Sequence, residues 1–206
     1  MLYDISRRVS PQTAVWPGDR LYRADPQLRR TDGESVNLVT LTLSPHTGSH
    51  ADAYWHYDDA GATAIDMPLD AYLGRARVVT VSKQDGPLYS ADFAVNLVGG
   101  ERLLIHSTVS DLPETQWPPQ FPHLSVELVE HLASLGYRLI GLDSPSVDAL
   151  DSKDLPCHHA LLRCGLVNLE CLALAGVPDG DYELIALPLR LAGACASPVR
   201  AILRTL

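Results

Sequence analysis

Val36-Asn37-Leu38-Val39-Thr40-Leu41-Thr42-Leu43-Ser44-Pro45-His46-Thr47-Gly48-Ser49-His50-Ala51-Asp52-Ala53-Tyr54-Trp55-His56 is the stretch from which the rest of the chain is read. Its first half alternates, with Leu41 and Leu43 on one face and Thr40 and Thr42 on the other, which is a strand signature over residues 36–43. Its second half gathers His46, His50, Asp52 and His56 into eleven residues. Pro45 and Gly48 disfavour a helix through residues 46–50, so the expectation is an irregular loop at a strand end. Three imidazoles and a carboxylate this close suit zinc, manganese or a similar borderline ion. Four such groups allow three ligands and one base, and the spacing alone does not say which is the base. His56, beyond bulky Tyr54 and Trp55, is the group expected to face a substrate.

Working outward, 206 residues with 46% hydrophobic content are read as one β-rich α/β domain over residues 1–206. A net charge of -9 argues against a nucleic-acid partner. Cys157, Cys164, Cys171 and Cys195 form no C-x-x-C pair, so they are read as free thiols rather than a zinc finger or redox motif. The first residues lack the apolar core of a secretory signal, and no run is long enough to span a membrane. The expected setting is soluble, reducing and cytoplasmic.

Strands are expected at residues 2–5, 21–30, 36–43, 75–82, 102–107, 137–142, 166–169, 182–187 and 199–203. Leu128, Leu132 and Leu135 fall on one helical face, which predicts a helix over 125–135 ended by Gly136. Pro156 at a first helical position and Gly165 beyond the end predict a helix over 156–163. Shorter helices are expected over 67–74, stopped by Gly74, and over 90–98, capped by Ser90. Residues 111–122 hold four prolines and read as an irregular excursion, either a lid or partner-contacting loop or passive surface. Trp16, just before the Pro17-Gly18 turn, is either a packing anchor or a binding face.

A mononuclear site could be built from the histidine stretch alone. A dinuclear one needs donors from elsewhere, and the second half offers His158, His159 and Glu170, with Asp143 and Asp148. Glu170 stands among Leu166, Val167, Leu169, Cys171 and Leu172, where a carboxylate is costly unless paired or metal-bound.

The run from His46 through His56 resembles the H-x-G-T-H-x-D-x-P-x-H signature of the metal-dependent cyclase superfamily. Trp16-Pro17-Gly18-Asp19, residues 68–74, residues 141–148, His158 with Glu170, and residues 184–189 and 196–201 resemble its bacterial kynurenine formamidases, so the likeness covers essentially the whole chain. The resemblance implies a swivelling β/β/α fold, a homodimer, and hydrolysis of N-formyl-L-kynurenine, a small aromatic formamide. It implies two divalent ions per chain, zinc with manganese as the alternative. His46 and His50 would hold one and His158 the other, with Asp52 and Glu170 serving both. His56 would be the acid/base and Trp16 a substrate contact. There are two departures from the pattern: Ser49 replaces threonine, and Tyr54-Trp55 replaces a proline and a smaller apolar residue, which puts the pocket's shape in question. An isatin-type ring-opening amidase and a non-catalytic metal-binding domain are the rival readings. No G-x-S-x-G elbow is present, which argues against a serine hydrolase.

Overall fold

The computed structural model describes residues 1–206. Its strands, in chain order, are β1 (Leu2–Asp4), β2 (Arg23–Leu28), β3 (Leu38–Thr42), β4 (His50–Asp52), β5 (Leu73–Thr80), β6 (Gly86–Leu88), β7 (Arg102–His106), β8 (Pro122–Leu124), β9 (Leu139–Leu142), β10 (Val167–Glu170), β11 (Gly180–Ile185), β12 (Ala196–Pro198) and β13 (Ile202–Thr205). Two α-helices interrupt them, α1 (Val126–Ser134) and α2 (Pro156–Cys164). Nine strands form one sheet in the order β1-β13-β11-β5-β7-β9-β10-β4-β12. The class is mixed α/β and sheet-rich, as the pattern of short apolar runs predicts.

The middle of the sheet is parallel, from β5 through β7 and β9 to β10. Parallel neighbours need crossovers, and α1 and α2 fill the connections into β9 and β10. Strands covered on both faces read as unbroken apolar runs. Leu104, Leu139, Val167 and Leu169 turn to one core with Tyr72, Leu184 and Leu203. Leu103, Ile105, Ile140 and Leu142 turn to the other, against Leu128, Leu132 and Leu161 of the helices. The sheet curls: Ser6, just after edge strand β1, bridges to Leu172, just after β10, and Ala173 N donates to Ile5 O.

Three sequence expectations are corrected. Residues 67–74 hold only a 3-10 turn at Leu69–Ala71, and Gly74 belongs to β5. Gly74 has φ +128, and a Cβ there would lie 2.9 Å from Arg102 Nη1, so this glycine admits a buried guanidinium instead of stopping a helix. Residues 90–98 form only a 3-10 turn at Ser90–Asp92. Asn96 bonds its own neighbourhood, accepting from Val98 N, and Phe93 and Leu97 drop into the core from irregular backbone. The expected strand over 199–203 is split: β12 ends at Pro198 on one edge of the sheet, and β13 begins at Ile202 near the other.

Arg102 is almost wholly buried and donates to Ala71 O, Asp70 O, Arg75 O and Glu101 Oε2. Arg102→Met leaves buried carbonyls unpaired. It should lower unfolding free energy by about 1–3 kcal/mol, read from the urea midpoint, and an unchanged midpoint would show those carbonyls to be otherwise satisfied.

Candidate metal centre

Strand register creates the site. β4 runs antiparallel to β10 with His50 opposite Glu170, and β12 covers the other side of β4 with Ala196 opposite Asp52. Asn168, two residues before Glu170, shares its face of β10. His46 comes from the turn before β4, and His158 from the first turn of α2. Residues from both halves of the chain therefore meet at one end of the parallel strands.

Asp52 sits at the centre. Its Oδ1 lies 3.0 Å from His46 Nδ1 and 3.4 Å from His50 Nε2, and its Oδ2 lies 3.5 Å from His158 Nε2. Glu170 repeats the arrangement, with Oε2 3.5 Å from His50 Nε2 and Oε1 3.7 Å from His158 Nε2. Two triads result, His46-His50-Asp52 and Asp52-His158-Glu170, the ligand atoms of each within 4.8 Å of one another. Each carboxylate turns one oxygen toward either group.

Neighbouring groups fix these donors. His50 Nδ1 is 2.9 Å from Gly48 O, which leaves Nε2 facing the carboxylates. His158 Nδ1 pairs with Asp148 Oδ2 at 2.7 Å, a carboxylate–imidazole pair of the kind that aims the other nitrogen at a metal. Asp148 also accepts from Cys157 N and His158 N, so it caps α2. Asn168 Nδ2 donates to Asp52 Oδ2 at 2.8 Å and to Glu170 Oε1 at 3.1 Å. The donor set suits divalent ions: Asp52 Oδ1 is buried and, though 3.0 Å from His46 Nδ1, makes no hydrogen bond of good geometry.

His56 stands at the rim. Its ring centroid is 4.2 Å from that of His46 and 6.1 Å from that of His158. It lines a cavity of about 280 Å³ with His46, His50, His158, Glu170 and Trp16. The cavity's aromatic wall is a pair, Trp16 and Trp117, edge to face with centroids 5.5 Å apart. Of the other sequence candidates, His159 faces Tyr57 instead, and Asp143 bonds Ser107 and Ser110. Tyr54 sends its hydroxyl to Leu166 O, and neither Tyr54 nor Trp55 lines the cavity.

Four contributors escape the sequence reading: Asn168, Asp148 as a partner of His158, Trp117 in the proline-rich excursion, and Cys195. Cys195 Sγ lies 3.3 Å from His46 Nε2 and is held there because Ala53 N donates to Cys195 O. Only the placing of Trp117 among four prolines could have hinted at a wall residue.

Comparison with known proteins gives a consistent result. A family model described as putative cyclase matches residues 3–149. A kynurenine formamidase of Salinibacter ruber (strain DSM 13855 / M31) is 48% identical, covering 98% of this chain and 97% of that protein. A kynurenine formamidase of Maricaulis maris (strain MCS10) is 42% identical, covering 100% and 98%. Among solved structures, a potential metal-dependent hydrolase with cyclase activity superposes with a TM-score of 0.84 at 23% identity, covering 98% and 96%. Isatin hydrolase A from Labrenzia aggregata superposes with a TM-score of 0.83 at 22% identity, covering 98% and 93%, and shares the fold.

Without ions the cluster balances itself with protons. Burial disfavours a charged His46, but the adjacent Asp52 and Cys195 outweigh it and push its pKa up to about 9. Burial likewise opposes charge on His158, and Asp148 and Asp52 prevail, lifting it to about 10. Burial and the charge of Asp52 push the Glu170 carboxyl up. At pH 7 His46 and His158 are therefore protonated, and a metal must displace those protons. Zinc binding to the metal-free protein at pH 7 should release protons, and affinity should rise as pH rises toward 9. Titration calorimetry in two buffers of different ionisation heat reads the release; zero release would show the imidazoles to be already neutral.

Proposed function

The chain belongs to the cyclase family, and on that footing we propose that it hydrolyses N-formyl-L-kynurenine to L-kynurenine and formate. The observation that carries this reading is the pair of triads joined through Asp52, with Glu170 between His50 and His158, at the floor of a cavity with an aromatic wall. His46 and His50 would hold one divalent ion and His158 the other, with Asp52 and Glu170 placed to serve both. Zinc, with manganese the alternative, is the ion this donor set would take. When bound, such ions bring the pKa of a water to about 7 and polarise a carbonyl oxygen.

The chain's own residues do the rest. Trp16 holds the aryl ring against the wall, so the formyl carbon is presented to the carboxylate-lined floor. Burial at the cavity wall and the positive charges of His46, His158 and His50 push the His56 pKa down to about 4. That value belongs to the metal-free site; in the working enzyme His56, at the rim beside His46, would as a neutral ring take the proton of the attacking water and return it to the departing arylamine. Tyr54 and Trp55 lie outside the cavity, and the identity of 48% and 42% to kynurenine formamidases, against 22% to isatin hydrolase A, favours the formamide over the isatin-type alternative. The same reading takes residues 1–206 as one domain and the enzyme as cytoplasmic; no helix is long and apolar enough to cross a membrane.

The same reading includes a homodimer. The β2–β3 hairpin stands apart from the main sheet and leaves Leu21, Val36, Leu38, Val39 and Leu41 exposed. A second copy of the chain would cover such a surface.

Purified protein should turn over N-formyl-L-kynurenine and lose that activity to a chelator. His56→Ala should keep its metals, by elemental analysis, and lose about a hundredfold or more in kcat. Normal turnover in that variant would assign the base elsewhere. Sedimentation should give the mass of two chains, and Leu41→Lys should shift it toward one; a monomeric wild type would leave the hairpin face without this role.

A further inference from the structure

We infer that Arg7 selects for a substrate carboxylate, so that the cavity takes aryl amides bearing an acidic side chain in preference to uncharged ones. This rests on the formamidase reading and adds to it a residue that determines specificity.

Three arginines in the chain are not exposed: Arg7, Arg77 and Arg102. Arg77 is paired with Asp181 and Arg102 with Glu101. Arg7 has no carboxylate within 4.0 Å, and its one side-chain bond runs from Nη2 to Val109 O at 3.0 Å. A guanidinium carries five N–H donors, so most of this one is uncommitted. It lines the same cavity as His56, Trp16 and Trp117. Asp19 and Glu170 also line the cavity, but neither comes within 4.0 Å of Arg7, so this half-buried cation is free to pair with an anionic group of a ligand.

Its position relative to the metal loop is fixed. Arg7 N donates to Ser49 Oγ at 2.9 Å, and Ser49 Oγ donates in turn to Cys171 O at 2.6 Å. Gly48 completes the seat, since a Cβ there would come within 2.8 Å of Val9 Cγ2. The backbone that carries Arg7 is thereby tied to both His50 and Glu170 through their immediate chain neighbours. The amide to be cleaved goes to the carboxylate–imidazole floor, the ring to the tryptophan wall, and the carboxylate at the far end of the side chain to the planar fork of Arg7. The predicted preference is therefore for an amino-acid tail on the aryl ketone.

The test compares N-formyl-L-kynurenine with N-formylkynuramine, which keeps the aryl formamide and lacks the carboxylate. The wild type should favour the carboxylated compound by about tenfold or more in kcat/KM, chiefly through KM. Arg7→Gln, which keeps a donor for Val109 O, should bring that ratio close to one, and Arg7→Lys should retain part of it. A wild type without preference, or an Arg7→Gln ratio equal to wild type, overturns the inference. If neither formamide is turned over, the formamidase reading fails instead. Quenching of tryptophan fluorescence by L-kynurenine and by kynuramine then decides Arg7 alone: equal binding of the two by wild type overturns the inference, and a preference erased by Arg7→Gln upholds it. Unchanged melting of the variants by circular dichroism separates these results from misfolding.

Discussion

Two carboxylates, Asp52 and Glu170, are buried against each other on neighbouring strands, and the surrounding structure is arranged to make that tolerable. Like charges in a desolvated place repel, and each would rather be protonated. Their environments resolve this unequally. Burial works to raise Asp52, yet His158, His46 and His50 surround it and hold its carboxyl well below the usual range. Glu170 is left on the other side of the balance, pushed upward. Asn168 ties the pair together with one amide, and Val147 N donates to Glu170 Oε1 at 3.0 Å. Positive charge is what the cluster lacks, and protons or divalent ions are interchangeable ways of supplying it.

The same residue type is put to opposite uses a few ångströms apart. His46, His50 and His158 each touch a carboxylate, and their imidazoles are held protonated in the absence of metal. His56 touches none, has three of those imidazoles for neighbours, and is held neutral. On the proposed function, environments that drive like groups apart in pKa supply this site with both ligands and a base. The split follows from backbone geometry: β4 ends at Asp52, and the 3-10 turn Tyr54–His56 lifts the last histidine out of the cluster to the rim.

Much of the fold was legible because local rules agree with tertiary ones where strands are buried on both faces. The runs at β5, β7, β9 and β10 each carry a buried apolar segment, Val78-Val79, Leu103-Leu104-Ile105, Leu139–Leu142 and Val167 with Leu169, and α1 carries a capping serine, Ser125 Oγ accepting from Leu128 N at 3.1 Å. Expectation failed where a side chain from elsewhere decided the backbone, as Arg102 does at Gly74. The gathering of His46, His50, Asp52 and His56 could be seen because they are close in sequence, and Glu170 because a carboxylate among leucines needs a reason. Asn168 and Cys195 could not be seen. Their roles come from the register of β10 and β12 against β4, which no local pattern encodes. Trp16 entered as a substrate contact only through resemblance to a known family.

The cavity's remaining wall shows why a sheet that curls is useful here. Edge strand β1 leads to Ser6 and Arg7, and the Ser6–Leu172 bridge lays this N-terminal segment across the end of β10. Ala14 N then donates to Glu114 O at 2.8 Å, which joins the loop carrying Trp16 to the excursion carrying Trp117. A flat sheet would leave the metal cluster open at one edge. The curl instead closes it with two segments rich in loop backbone, and these can change their side chains without disturbing the carboxylate floor. Chemistry and selectivity therefore reside on different parts of the chain: the first on strands whose register fixes it, the second on loops held in place at a few points.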